Sequence, residues 1–159
     1  MKHAPKIEFA RLPSISLQDI VAHMNDPRVS EHMPLLVSKW TPDDARSFVA
    51  AKEDMWRRDG LGHWAILSDG VYVGWGGFQK EGRDWDFGLV LKPDSFGLGL
   101  RITRKAIAFA TTDPRIDFVT FLLPPSRKNI GALLRGGAEF VENTQYNGEV
   151  FKKFRLETT

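Results

Sequence analysis

The 159-residue chain contains no cysteine, which excludes disulfides, thiolate metal centres, iron–sulfur clusters and cysteine nucleophiles while leaving the compartment open. It has no apolar run near the roughly 20 residues a membrane-spanning helix needs. The segment Met1 to Ala10 lacks the apolar centre of a signal peptide, so the expected location is the cytoplasm and no membrane partner is expected. Charge of one sign is also scarce, since 22 Lys and Arg against 20 Asp and Glu leave a net +2. The basic residues are scattered instead of set along one stripe, so no nucleic-acid partner is expected despite a pI near 9.0. Internal repeats, low-complexity tracts and linkers are missing. The histidines His3, His23, His32 and His63 lack metal-ligand spacing, and no metal is expected. No serine stands on the turn a nucleophilic triad requires.

What is present is the composition of one globular domain: 42% hydrophobic, 26% charged and 11% aromatic residues. A chain of this length buries a continuous core without staples, and a single domain over 1–159 is expected. A short alternating strand, Ile7 to Leu12, precedes a helix opened by Ser16 with Asp19 as its capping partner and Leu17, Ile20, Val21 and Met24 at helical spacing. Asn25-Asp26-Pro27 stops it. Arg28 to Trp40 reads as a loop with room for one helical turn, and Thr41-Pro42-Asp43-Asp44 restarts a capped helix. The period then changes to two. Trp64 to Leu67 and Val71 to Phe78 flank the turn Ser68-Asp69-Gly70, and a third strand follows in which Trp85, Phe87, Leu89 and Leu91 alternate with Asp84, Asp86, Gly88 and Val90. After Pro93 and Gly97-Leu98-Gly99 a helix spans Leu100 to Thr111. Ile116 to Leu123 is a near-continuous apolar strand, as suits a central one. Ser126 caps a short helix that ends at Gly136-Gly137, and Asn147-Gly148 joins a closing hairpin.

This order of elements, with the segment Leu91-Lys92-Pro93-Asp94-Ser95-Phe96-Gly97-Leu98-Gly99-Leu100-Arg101, resembles the GCN5-related N-acetyltransferase family. In that family a strand end, a proline and a glycine-rich turn opening a helix form the acetyl-CoA motif. The physics suits the ligand. Glycines let the backbone approach a pyrophosphate, and the unpaired N–H groups of a helix start supply donors at a positive dipole end. The dinucleotide fingerprint is a poorer match, because Ile102 stands where its third glycine belongs. A nucleoside-triphosphate loop would need a glycine-lysine-serine or threonine run after the turn. The stretches Asn25-Asp26-Pro27-Arg28-Val29 and Trp40-Thr41-Pro42 are similar to the branch that contains the ribosomal-protein N-terminal acetyltransferases. The resemblance implies an α/β fold with a mixed sheet of about seven mostly antiparallel strands, a central parallel pair splayed at the CoA site, and about four flanking helices.

It also implies roles. Phe96, Gly97, Leu98, Gly99, Leu100 and Arg101 would cradle acetyl-CoA, and backbone N–H groups near Val90 and Leu91 would meet the thioester carbonyl. Arg101 stands where the family usually has glycine or alanine, so it either meets a CoA phosphate or crowds the turn. Asp86, in Asp86-Phe87-Gly88, matches a family glutamate and would be the base or the amine anchor; by alternation alone it would simply line a solvated face. Ser126 would protonate the CoA thiolate or merely cap its helix, and Asn129 would hold the pantetheine amide. A tyrosine usual in that helix is replaced by Leu133. His32 and Trp40 fall in the region that borders the acceptor pocket in relatives. The implied reaction is direct acetyl transfer from acetyl-CoA to a protein N-terminal or small-molecule amine, by a monomer or homodimer. A catalytically degenerate acyl-CoA-binding module is the alternative.

Overall fold

The computed structural model describes residues 4–31, 33, 38–125, 127 and 130–158. The strands β1 (Ile7–Ala10), β2 (His63–Ser68), β3 (Val71–Glu81), β4 (Asp84–Leu91), β5 (Phe118–Leu123), β6 (Glu139–Tyr146) and β7 (Glu149–Glu157) form one sheet in the order β1-β2-β3-β4-β5-β7-β6. Neighbours run antiparallel except β4 and β5, which are parallel. The expected meander and closing hairpin are both present. Their turns place Asp69 and Gly70 at φ 50° and 81°, and Asn147 and Gly148 at φ 50° and 83°. Two successive left-handed residues twist the chain in the sense that joined strands require.

The helices are α1 (Leu17–Met24), α2 (Pro27–Ser30), α3 (Pro42–Asp59), α4 (Gly99–Thr112) and α5 (Gly131–Arg135). Ser16 Oγ accepts from the Asp19 N–H at 3.2 Å, as the capping pattern predicts. At the start of α3 the Thr41 N–H donates to the Asp44 carboxylate at 2.8 Å, and the Asp44 N–H donates back to Thr41 Oγ1 at 3.3 Å. Two orphan donors are thereby satisfied reciprocally. Among the described residues there are five α-helices against about four expected, the fifth being α2, a single turn at the start of the stretch read as a loop with room for one. Asp26 caps it by accepting the Arg28 N–H at 2.9 Å, and Pro27 takes the first helical position, where no N–H is needed.

Each face of the sheet carries one helical layer. On the first, Ile102, Ala106 and Ala110 of α4 pack on Trp64, Phe78, Trp85, Phe87, Val119 and Phe121. Phe78 is fully buried there, a contribution of about 2–3 kcal/mol. On the second, Ile20, Met24 and Ala45 from α1 and α3 cover Ala65, Tyr72 and Trp75. The alternation of β4 therefore sends Trp85, Phe87 and Leu91 into the first layer and turns Asp84, Asp86, Gly88 and Val90 toward the second. Trp75 and Trp85 are both core residues, on opposite faces. The backbone of β3 lies so close to β4 that a Cβ on Gly76 would sit 2.4 Å from the Gly88 carbonyl oxygen. Only glycine fits. Among the described residues no helix is long and apolar enough to cross a membrane.

Candidate active site

The parallel pair is short. Trp85, Asp86 and Phe87 face Val119, Thr120 and Phe121, yet β4 continues to Leu91 and β5 to Leu123 without further pairing. The two strands part after Phe87 and leave an open edge on β4. Which groups line it follows from the antiparallel ladder with β3. The Lys92 N–H donates to the Val73 carbonyl at 2.8 Å, so alternate residues counted back from it, Val90 and Gly88, also turn their amide and carbonyl toward β3. Leu91 and Leu89 turn theirs toward the gap. Of the two expected thioester donors, Leu91 therefore offers its N–H to the open edge, whereas the Val90 N–H faces the ladder. Leu89 was not foreseen. The two-residue turn between Glu81 and Asp84, which sets this parity, could have pointed to it.

Past the open edge, Pro93–Leu98 forms a 3-10 turn and α4 begins at Gly99, which has helical angles of φ −55° and ψ −46°. A Cβ on Gly97 would meet nothing within 4 Å, and one on Gly99 only Leu91 Cδ1 at 3.8 Å. Neither position needs glycine for packing or for backbone conformation. What their bareness does is leave the main chain uncovered at a helix start whose N–H groups have no side-chain cap. Phe96 and Leu100 are exposed beside it, and Arg101 is exposed in the first turn of α4. Among the described residues Arg101 makes no ion pair. The Gly99 N–H donates to the Phe96 carbonyl; uncovered backbone at a helix start without a side-chain cap, together with a guanidinium, suits a pyrophosphate, and an unpaired strand edge suits the amide-bearing arm of a CoA.

Asp86 lies one residue before the strands part. Thr120 Oγ1 donates to its Oδ1 at 2.9 Å. Burial pushes the Asp86 carboxyl up to about 7, and the charges of Glu81 and Asp84 act in the same direction against the opposing pull of Thr120 and Lys153. It lines a cavity of about 150 Å³ with Glu81, Asp84, Thr120, Tyr146 and Lys153. Lys153 Nζ is spoken for by Asp84 at 2.6 Å, and Gln79 Nε2 donates to Glu81 at 2.6 Å. Asp86 is thus part of a recess with excess negative charge, not of a flat solvated face. Thr120, a hydroxyl inside an otherwise apolar strand run, was the sequence signal for its partner.

Trp40 packs on Phe48 at 5.1 Å between ring centroids and is tied down by Asn25, whose side chain meets its N–H and carbonyl at 2.7 and 2.9 Å. It therefore belongs to the helical layer on the same face as Asp86. His32, Ser126 and Asn129 lie outside the described residues. Two buried basic groups of this face were missed. Burial pulls the Lys52 ammonium down to about 8, with Nζ 3.3 Å from Gln79 Oε1. His63 is held well below its ordinary range by burial and by the Lys52 charge. Among the described residues no group of three or more His, Cys, Asp or Glu could hold a metal ion.

Residues 10–134 match the acetyltransferase (GNAT) domain family. No curated protein sequence matches the chain. Among solved structures, the ribosomal L7/L12 α-N-protein acetyltransferase in complex with coenzyme A superposes with a TM-score of 0.79 at 11% identity, over 95% of this chain and 93% of that one. An aminoglycoside acetyltransferase in complex with coenzyme A gives 0.72 at 14% identity, over 97% and 95%. The spermidine N-acetyltransferase of Vibrio cholerae in complex with CoA and spermine gives 0.72 at 8% identity, over 98% and 96%. At such identities the likeness is one of fold.

Proposed function

The chain belongs to the GNAT acetyltransferase family, and from that premise we propose that it is a single N-acetyltransferase domain over 1–159 that moves an acetyl group from acetyl-CoA to a primary amine by direct transfer in a ternary complex. Acetyl-CoA supplies the activated thioester. Gly97, Gly99 and the uncapped start of α4 hold its pyrophosphate, Arg101 adds a paired cation, and the open edge at Leu89 and Leu91 takes the arm. The Leu91 N–H then meets the thioester carbonyl, where negative charge grows in the transition state. A fixed backbone donor of this kind contributes about 3–4 kcal/mol.

Asp86 accepts the proton that the amine must lose. The observation that carries this reading is its carboxyl, buried beside the point where β4 and β5 part and pushed up to about 7. A base of that strength is half ionised near neutral pH and still strong enough to take the proton as the C–N bond forms. The acidic recess around it favours a cationic acceptor on approach. A protein N-terminal amine, a polyamine and an aminoglycoside all meet that condition, in line with the acceptors named for the three similar structures.

The test is release of free CoA thiol from acetyl-CoA with a panel of those amines, alongside thermal shift with CoA. At 100 times its dissociation constant CoA should add about 2.7 kcal/mol of stability. CoA binding without turnover on any amine would leave a degenerate acyl-CoA-binding module, and no CoA binding would remove the enzyme reading altogether.

A further inference from the structure

The recess at Asp86 has a shape that the chemistry above leaves unused. Asp86 stands beside Thr120 on its floor, and Leu122 lines it as well. Leu122 is the first residue of β5 after the pairing with β4 ends at Phe121. The recess therefore runs along β5 from the carboxylates to the place where the strands part.

Its other end is crossed by two contacts. Lys153 of β7 reaches over β5 to Asp84 of β4, with 2.6 Å between Nζ and Oδ2. Tyr146, the last residue of β6, places its Oη 3.5 Å from Glu81 Oε1 of β3. These strands stand four steps apart in the order β3-β4-β5-β7-β6, which is about 19 Å in a flat sheet. So short a contact means that the sheet curls and that the Tyr146 side chain spans the recess it lines. Its footing is fixed from below. Gln79 Nε2 donates to Glu81 at 2.6 Å, and Lys52 Nζ donates to Gln79 Oε1 at 3.3 Å. Burial and the Glu81 charge push the Tyr146 phenol above its ordinary value, so it stays protonated as the donor.

The space left is about 150 Å³, the size of a cavity that holds one benzene. An acceptor nitrogen has to reach Asp86, so the atoms bonded next to it share that space. A nitrogen at the end of a straight chain of about four carbons fits. A protein N-terminus brings a branched carbon, a side chain and a peptide unit to the same place, and an aminoglycoside brings a sugar ring.

We propose, resting on the acetyl-transfer reading above, that Tyr146 is a specificity-determining residue: its side chain, set against Glu81, confines the recess so that the acceptor is a primary amine at the end of an unbranched alkyl arm, as in a polyamine or an alkyl diamine. The arm lies between Leu122 and the Tyr146 ring with its nitrogen at Asp86. A branched or cyclic amine meets the phenol before its nitrogen reaches the carboxylate, and discrimination comes from that clash.

The test measures kcat/KM for n-butylamine and for alaninamide, which stands for a protein N-terminus, each per concentration of neutral amine. Wild type should favour n-butylamine by about tenfold or more. Tyr146→Ala should cut that ratio by about tenfold, while Tyr146→Phe, which keeps the ring, should stay within about threefold of wild type. Packing alone would change both amines together and leave the ratio where it was. A wild type that favours alaninamide overturns the inference without reference to any variant. So does an unchanged ratio in Tyr146→Ala, and so does a ratio in Tyr146→Phe as low as in Tyr146→Ala. A wild type that acetylates neither amine, nor any other of the panel, sinks the acetyl-transfer reading instead. Calorimetric titration of the same two amines into the CoA-bound protein then decides on Tyr146: tighter binding of n-butylamine keeps it as the wall, and equal or absent binding overturns that.

Discussion

Replacing Asp86 with Asn tests the proposed base through two independent quantities, one kinetic and one thermodynamic. In the folded chain the carboxyl sits at about 7, raised mainly by burial, whereas in the unfolded chain it returns to about 3.9. The folded state therefore holds its proton more tightly, and between these two values raising the pH destabilises the protein. The contribution is fully present below about pH 4 and is gone above about pH 7. The gap between the folded and unfolded values corresponds to roughly 4 kcal/mol, and with part of the carboxyl reached by solvent a range of about 2–4 kcal/mol is expected. Asn cannot ionise, so Asp86→Asn should match wild type near pH 4 and exceed its unfolding free energy by that amount at pH 8, as read by urea unfolding at both values. The kinetic side has the opposite sign. Wild-type kcat/KM for the amine should rise with pH up to about 7 as Asp86 ionises, while Asp86→Asn should lack this limb and run about 10²-fold slower, with CoA affinity unchanged. The deficit should shrink at high pH, where more acceptor is already neutral. A variant that keeps full activity and the same pH limb refutes the assignment of the base. A raised KM with intact kcat makes Asp86 an amine anchor, and a stability gap that does not grow with pH means that the carboxyl is not desolvated.

Gly99→Val should fold, since a Cβ there meets only Leu91 Cδ1 at 3.8 Å, yet lose the CoA thermal shift; retained CoA affinity would remove the glycine turn from the binding site. Arg101→Ala should weaken CoA about tenfold, and less so in high salt, as isothermal titration at two ionic strengths would show. Gly76→Ala should cost about 2–4 kcal/mol in urea unfolding, because its Cβ would lie 2.4 Å from the Gly88 oxygen and the β3–β4 ladder must shift. Lys52→Met should stabilise the protein by about 1–2 kcal/mol at pH 7; Lys52 is pulled down to about 8 by burial, so the folded state gives up its proton first and the gain should fade between about pH 8 and pH 10.

The elements were legible where local chemistry acts alone. Ser16 and Thr41 cap the helices their patterns announce, and Asn147-Gly148 turns the hairpin, because each depends on a few adjacent residues and a backbone preference of its own. The placement of β7 between β5 and β6 is of another kind, since it follows from long-range pairing that no window of sequence contains. The alternation of β4 predicted its buried face correctly but was silent on which edge each amide uses. That was recoverable from the length of the turn after Glu81, and it separates Leu91 from Val90.

The candidate site divides along the same line. The glycine turn is contiguous, so its residues could be named from the segment that contains them. The proposed acceptor side draws on residues of β3, β4, β5 and β7, and its chemistry arises from what burial does to groups brought together only by the sheet. Asp86 alternates with Trp85 and Phe87 as any solvated strand residue would. It suits the proposed role of a base near neutrality because the sheet buries it, with Glu81 and Asp84 adding to the upward push and the Thr120 hydroxyl opposing it. His63 gave no sign in sequence beyond its failure to fit a metal pattern, and its burial exists only in the folded chain. The fold can thus be read with nothing known of the acceptor, while the place proposed for the acceptor depends on residues whose properties exist only in the folded chain. An acceptor that bound elsewhere would leave a carboxyl buried where the parallel strands part and pushed up to about 7, destabilising above neutrality and with no task.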